Sequence, residues 1–526
     1  MTTTSRTMVR NWEPGSEGDP RRNLTLAVLC LSLFMVVLGN TVLNVAIPTL
    51  VRELNATSSQ LQWIVDAYAL VFAGLLFTGG AIGDRFGRKG SLNVGLVIFA
   101  TGSLIAAFGG TADILIAGRA VMGMGAALVM PSTLSILTNV FPPQERAKAI
   151  GVWAGVAGAG GAIGPIVSGV LLEHFWWGSI FFLNIPVVAL ALVGGWFLVP
   201  TSSDPAQAKL DLAGAALSIG AVGSLIYAII EAPAQGWTST NTLLWFGIAL
   251  IFGLAFAARE LTADAPMLDL RYFKRRGFSG GSLAISLMFF GMFGMFFILT
   301  QYLQLVRGWS ALSSGVRTLP FAITIMIVAP MSARFAARFG AKRVVSLGVL
   351  IAGSGLFLLS LAGVATPYAY LAVALVVLAI GMGLTMAPST ASIMSSLPLA
   401  KAGVGSAMND TNRELGGAIG VAVLGSILAT RYASTLGDSL QGAPPALAAA
   451  AETSLGAALA VAQQANQPAI ALAARQAFVD GMGLALTVGA VIAVLASALV
   501  FMVLPSHVGP SEEQERYGTH ETDDLH

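Results

Sequence analysis

The chain has 526 residues, 56% of them hydrophobic and only 10% charged, with 28 Lys and Arg against 26 Asp and Glu for a net charge of +2. Soluble domains carry roughly 25% charged residues, so this composition excludes a soluble globular enzyme and offers no basic face for nucleic acid. One cysteine, Cys30, and four scattered histidines, His174, His507, His520 and His526, leave no disulfide framework within the chain and no His cluster for a metal.

The first 23 residues are polar and carry Arg6, Arg10, Arg21 and Arg22. No short apolar core with a small-residue cleavage site precedes Leu24, so a cytoplasmic tail is expected in place of a cleaved signal. A spanning helix needs roughly 20 apolar residues. Runs of that kind predict spans at 24–47, 60–82, 92–110, 113–138, 147–171, 179–199, 211–231, 241–259, 278–302, 315–336, 344–362, 369–393, 403–429 and 477–503. The predicted fold is therefore an all-α integral membrane protein with fourteen transmembrane helices. The segment 430–476, rich in Ala, Gln, Gly and Pro, is expected to be partly ordered at best, and the acidic tail from 504 to 526 to be disordered.

Basic residues set the orientation. With the N-terminus inside, the inner loops hold Arg85, Arg88, Lys89, Arg146, Lys148, Lys209, Arg271, Lys274, Arg275, Arg276, Arg338, Lys342, Arg343 and Lys401. The outer loops hold Arg52, Arg307, Arg431 and Arg475. Both termini are thus expected in the cytoplasm, with the chain multi-pass in a bacterial plasma membrane. The run Gly83-Asp84-Arg85-Phe86-Gly87-Arg88-Lys89 returns as Ala336-Ala337-Arg338-Phe339-Gly340-Ala341-Lys342. Such a repeat implies two pseudo-symmetric six-helix bundles, 24–199 and 277–503, with a binding site between them. The residues 200–276 then form a linker with two extra spans.

The loop Gly80-x-x-x-Asp84-Arg85-x-Gly87-Arg88-Lys89 resembles the signature between spans two and three of the major facilitator superfamily. Gly87 permits a tight turn there. Arg119-x-x-x-Gly123-x-Gly125 resembles the arginine motif of the family's fourth span, and an arginine in lipid is costly and usually functional. Span five carries Gly155, Gly158, Gly160, Gly161, Gly164, Pro165 and Gly169, similar to the antiporter motif of the family's exporters. The fourteen spans, with Gln62-Trp63-Ile64-Val65-Asp66-Ala67-Tyr68, Leu183-Asn184-Ile185-Pro186 and Asn409-Asp410-Thr411-Asn412-Arg413-Glu414, look like the drug:proton antiporters that export quaternary-ammonium compounds and other drugs. One departure stands out: where members often have an acid in span one, this chain has Gly39, flanked by Asn40 and, one turn on, Asn44.

The informative acids are Asp66, Asp410 and Glu414. Asp410 and Glu414 are four apart and share a helix face; two carboxylates together in a low-dielectric site cannot both ionise easily. Arg413 points about 100° from Glu414 and need not neutralise either acid. A carboxylate that takes a proton or a cation, but not both, gives antiport by reciprocal linkage. The expected proton-coupling residues are Asp410, Glu414, Asp66 and Arg119. Asp66, Trp63, Asn40, Asn44, Phe289, Phe293, Phe296, Asn409 and Arg413 are expected at the substrate. The Met and Phe residues of span nine supply adaptable walls. Gly80, Asp84, Arg85, Gly87, Arg88, Lys89, Gly164 and Pro165 are the expected gating positions. The resemblance implies no cofactor beyond the proton-motive force, a small-molecule substrate with protons and membrane lipids as partners, no nucleic acid, no enzymatic activity, and action as a monomer. Export of an endogenous antibiotic, lipid or metabolite is an open alternative, and a membrane-embedded sensor or enzyme a remote one.

Overall fold

The computed structural model describes residues 20–202, 211–263, 266, 268, 270–397, 402–440, 449 and 451–505. The outer parts of both tails, the stretch 441–448, the side chains of Asn40, Asn44 and Asp84, and the surroundings of Gly155, Gly158 and Gly161 lie outside this description. The chain folds into α1 (Arg22–Leu54), α2 (Ser58–Phe86), α3 (Arg88–Phe108), α4 (Ala112–Val140), α5 (Pro143–His174), α6 (Ser179–Leu198), α7 (Leu212–Gln235), α8 (Thr240–Thr262), α9 (Arg276–Val306), α10 (Ala311–Phe339), α11 (Ala341–Ser360), α12 (Tyr368–Ser395), α13 (Ala402–Ser439), α14 (Leu455–Gln464) and α15 (Pro468–Val503). Thirteen of these are long and apolar enough to cross a membrane among the described residues. The fourteenth predicted span is α5, 32 residues long, whose apolar part is Ile163–His174.

The segment 430–476 departs from expectation. α13 continues to Ser439, α15 begins at Pro468, and α14 stands between them. Its Gly, Pro and Gln residues interrupt any apolar run of spanning length, so the hydropathy reading does not mark these helices. Ser454 accepts from the N–H of Ala457 and caps α14, an arrangement that satisfies one of the free donors of a helix start. The same logic starts α2, where Thr57 and Gln60 form a reciprocal capping box.

Two bundles are visible in which helices touch. In the first half α3 packs on α4, α2 on α4, α1 on α5, α3 on α6 and α1 on α6. In the second half α11 packs on α12, α10 on α12, α9 on α13, α11 on α15 and α9 on α15. These are the same five pairings in the same order. The repeated loops agree in detail as well. Gly87 and Gly340 adopt φ of +107° and +86°, and each N–H returns to the carbonyl four residues back, Gly83 and Ala336. Arg85 and Arg338 lie over the adjacent rings of Phe86 and Phe339. A side chain at these φ values is strained by about 1–3 kcal/mol. Gly87→Ala should therefore lower the thermal midpoint of the purified protein, while Gly90→Ala, inside α3 with open space around its Cβ, should hold or raise it.

The halves meet symmetrically, α2 against α13 and α5 against α10. The extra pair is attached asymmetrically: α7 lies against α2 and α13, and α8 packs on α7. Only Thr242 and Glu260 of α8 are buried, so the helix offers its apolar length to lipid. At its other end Arg259 pairs with Asp211 at 2.8 Å.

Candidate functional site

For description, the end of the bundle holding Arg22 is called proximal and the opposite end distal. α13 rises from the proximal end, and Asn409–Glu414 fall within its third and fourth turns. Arg413 Nη1 lies 3.7 Å from Asp410 Oδ1, and its guanidinium stands over the Phe289 ring at 5.4 Å. This corrects the expectation that Arg413 leaves both acids alone. Residues three apart are neighbours on a helix, and the long arginine stem covers the rest. Asn409 accepts from Thr390 of α12, so that candidate is held by the protein itself. Phe289 and Phe293 meet edge to face at 5.6 Å. With Phe278, Ile393, Met408 and Phe77 of α2 they form a cluster that spans the two halves. Phe296 instead turns toward α10, against Phe321.

Glu414 Oε2 is buried and has no hydrogen-bond partner among the described residues. Its charge is felt by Asp410 in its own half, and across the divide by Arg119 and Tyr68. Arg119 does not reach out to an interface: it is fully buried. Nε donates to Ile64 O and Nη1 to Gly39 O, both at 3.0 Å, and the guanidinium lies 4.4 Å from the Tyr68 ring centre. One arginine thus ties α4 to α1 and α2. Nη2 has no partner among the described residues. A Cβ at Gly39 would sit 2.9 Å from Phe99 Cζ, and the Gly39 carbonyl accepts from Arg119.

Asp66 stands apart from this group. It lies two residues from Tyr68, about 200° around the helix, and is fully buried. Trp63 is on that same side, its ring 6.1 Å from Tyr227 of α7. Tyr68, which the sequence places beside Asp66 without marking a role, is the platform of Arg119; its only signal was a titratable ring one turn after Ile64.

The gating positions divide between two tasks. Lys89 Nζ donates to Trp196 O at 2.7 Å and fixes the end of α6. Gly80 faces Pro131 of α4. A Cβ at Gly164 would meet Thr41 Oγ1 at 2.1 Å, so Gly164 lets α5 sit close on α1 within one half. Pro165 and Gly169 face the other half. The Pro165 carbonyl would be 2.5 Å from a Cβ on Gly315, and a Cβ on Gly169 would be 2.4 Å from Leu312 Cα. Distal hydrogen bonds join the halves too: Ser58 Oγ to Thr453 O, Gln304 Nε2 to Val45 O, and Ser426 Oγ to Gln62 Oε1. A small cavity lined by Gln62, Gln301, Tyr432 and Leu455 lies in this distal region. Gly169→Val should prevent distal closure. Spin labels on the distal ends of α5 and α10 should move apart, with the helix content by circular dichroism retained.

The sequence pattern of the Major Facilitator Superfamily matches residues 29–421. The chain is 35% identical to the multidrug efflux pump LfrA of Mycolicibacterium smegmatis over 503 residues, 94% of this chain and 97% of that protein. It is 33% identical to the tetracenomycin C resistance and export protein of Streptomyces glaucescens, covering 90% of each. Its fold is similar to that of a bacterial homolog of the human lysosomal transporter Spinster in an inward-facing, unoccupied conformation, with a TM-score of 0.64, 19% identity, and coverage of 92% of this chain and 98% of that one. The shared pairings of two six-helix halves, the repeated glycine turn and these likenesses give one conclusion: the chain is a multi-pass membrane transporter and belongs to the Major Facilitator Superfamily.

Proposed function

We propose that the protein exports small lipophilic molecules, cationic drugs among them, in exchange for protons across a bacterial plasma membrane. The observation that carries this reading is the Asp410–Glu414 pair on α13, set beside Phe289 and Phe293 and within electrostatic reach of Arg119 on the opposite half. An aromatic wall and a carboxylate suit a lipophilic cation. The basic residues of the proximal loops orient that end to the cytoplasm, and contacts between the halves close the distal end. The cation enters from inside as Glu414 or Asp410 gives up its proton. After rearrangement, an outside proton displaces it.

Stoichiometry follows from charge. One proton in for one monovalent cation out moves no net charge, so only the pH difference drives it, about 1.4 kcal/mol per unit. A second proton would add about 2.3 kcal/mol per 100 mV. The likeness to the tetracenomycin C exporter favours a second reading, in which the cargo is an antibiotic. The test is a panel of dyes, antiseptics and antibiotics loaded into cells lacking other exporters. Energy-dependent loss of lipophilic cations supports the first reading; loss of neutral antibiotics alone supports the second and removes the cation site.

A further inference from the structure

The hairpin α7–α8 is the part of the fold that two six-helix halves do not require. Its seam with them contains one anomaly, a buried carboxylate with no partner. Asp66 is fully buried, and among the described residues neither of its carboxylate oxygens has a hydrogen bond. Its helical neighbours fix which way it faces. One turn before it, Gln62 accepts from Ser426 of α13, and Gln62 is also what a Cβ on Gly425 would strike. Trp63, three residues before, meets Tyr227 of α7. Ala69 and Leu70, three and four residues after, cluster with Ile226, Ile229 and Ile230 of α7 and Ala418 and Ala422 of α13. All positions that share its face therefore pack into the junction of α2, α7 and α13. Ser426 Oγ also lies 2.8 Å from Ile229 O, so its single hydroxyl proton is shared between Gln62 and Ile229 at the junction.

Among the described residues no basic group answers this acid. α7 contains no Lys, Arg or His; its titratable residues are Tyr227 and Glu231. On α13 the nearest charged position along the same face is Glu414, one turn before Ala418. Arg413 of α13 is engaged with Asp410 and Phe289. Arg119 meets α2 on the other side, at Ile64 O and Tyr68. An ionised carboxylate without partner or water costs far more to bury than the neutral acid. The closed seam therefore favours the acid with its proton on, and the ionised form favours a seam that admits water.

We propose that Asp66 is a proton-binding site of the α2–α7–α13 seam, separate from the Asp410–Glu414 site, whose occupancy controls the docking of the accessory hairpin onto the two halves. α7 touches one helix of each half, so releasing it frees the α2–α13 contact that must change when the transporter switches. The inference goes beyond the proposed export, because it concerns the position of α7–α8 and stands whatever the cargo is.

The experiment measures distance between spin labels in lipid nanodiscs. Leu244→Cys on α8 and Val97→Cys on α3, both lipid-exposed, carry the labels in a Cys30→Ala background. Raising the pH should shift the distribution to longer, broader distances. Asp66→Asn, and Asp66→Leu as a second neutral variant, should hold the short distance at every pH, and Glu414→Gln should keep the response. A chain whose distance does not respond to pH, a response that survives in both Asp66 variants, or one that vanishes with Glu414→Gln would overturn the proposal. Loss of proton-driven export in Glu414→Gln with the distance response intact separates failure at the transport site from failure of this one.

Discussion

Glu414→Gln is expected to reduce export driven by a pH difference to the level of protein-free vesicles, while the protein stays folded. The two halves of that expectation come from the same observation. Glu414 Oε2 is buried with no hydrogen bond among the described residues, so turning the carboxylate into an amide breaks no hydrogen bond of that oxygen. Removing an uncompensated buried charge without changing shape is commonly neutral or stabilising, by about 1–4 kcal/mol for well-packed replacements of buried ion pairs. The thermal midpoint should therefore hold or rise as transport disappears. Asp410→Asn should also abolish coupled export, but with a smaller gain in stability, because the weak pairing with Arg413 at 3.7 Å is lost. Substrate-concentration jumps in the absence of a gradient should still equilibrate cargo in either variant. Coupled export surviving in both variants would take the carboxylates out of the mechanism.

Arg119→Ala is the substitution with the largest expected structural effect. The side chain is fully buried, makes two bonds of 3.0 Å to carbonyls of two other helices, and stacks on Tyr68. Hydrogen bonds to a charged donor contribute about 1.5–3 kcal/mol each, and a desolvated cation–π contact about 2 kcal/mol. The cost of burying the guanidinium offsets much of that sum, which leaves an expected loss of about 3–5 kcal/mol, as for breaking other buried charged networks. The thermal midpoint of the purified protein should fall accordingly, and transport should be lost. Arg119→Lys keeps the charge but lacks the planar fork whose separate Nε and Nη1 reach Ile64 O and Gly39 O while its face lies on Tyr68. It should recover part of the stability and little of the transport. A midpoint unchanged in Arg119→Ala would mean that α1, α2 and α4 are held by apolar packing alone.

The spans were legible because a bilayer demands length and hydropathy before anything else, and α1 to α13 and then α15 answer in order. The turn at Gly87 was legible for a related reason: an RFG turn after a spanning helix needs a positive φ, and its copy at Gly340 has it too. α14 was not, since a short helix at the distal end is held by contacts such as Gly456 against Val51 of α1 that composition does not encode. In the candidate site the identity of the charged residues could be read, but not their company. Arg413 was placed by its angle to Glu414 and in fact reaches Asp410. Asp66 and Trp63 read as substrate groups because they are polar or aromatic within a span. Their neighbours place them at α7, a helix about 150 residues further along, and no local pattern in α2 announces that partner. Thr390, which holds Asn409, carried no signal at all.

The account rests on acids that trade a proton for cargo, and the purified protein in liposomes tests this most directly. With an acidic lumen and an alkaline bath, adding a lipophilic cation to the bath should draw it inward through transporters whose outer face meets the acid, and the lumen should lose protons in step with cation uptake. Collapsing the pH difference should stop both movements together. Cation uptake with no matching proton efflux, or neither movement under the imposed difference, would contradict the exchange.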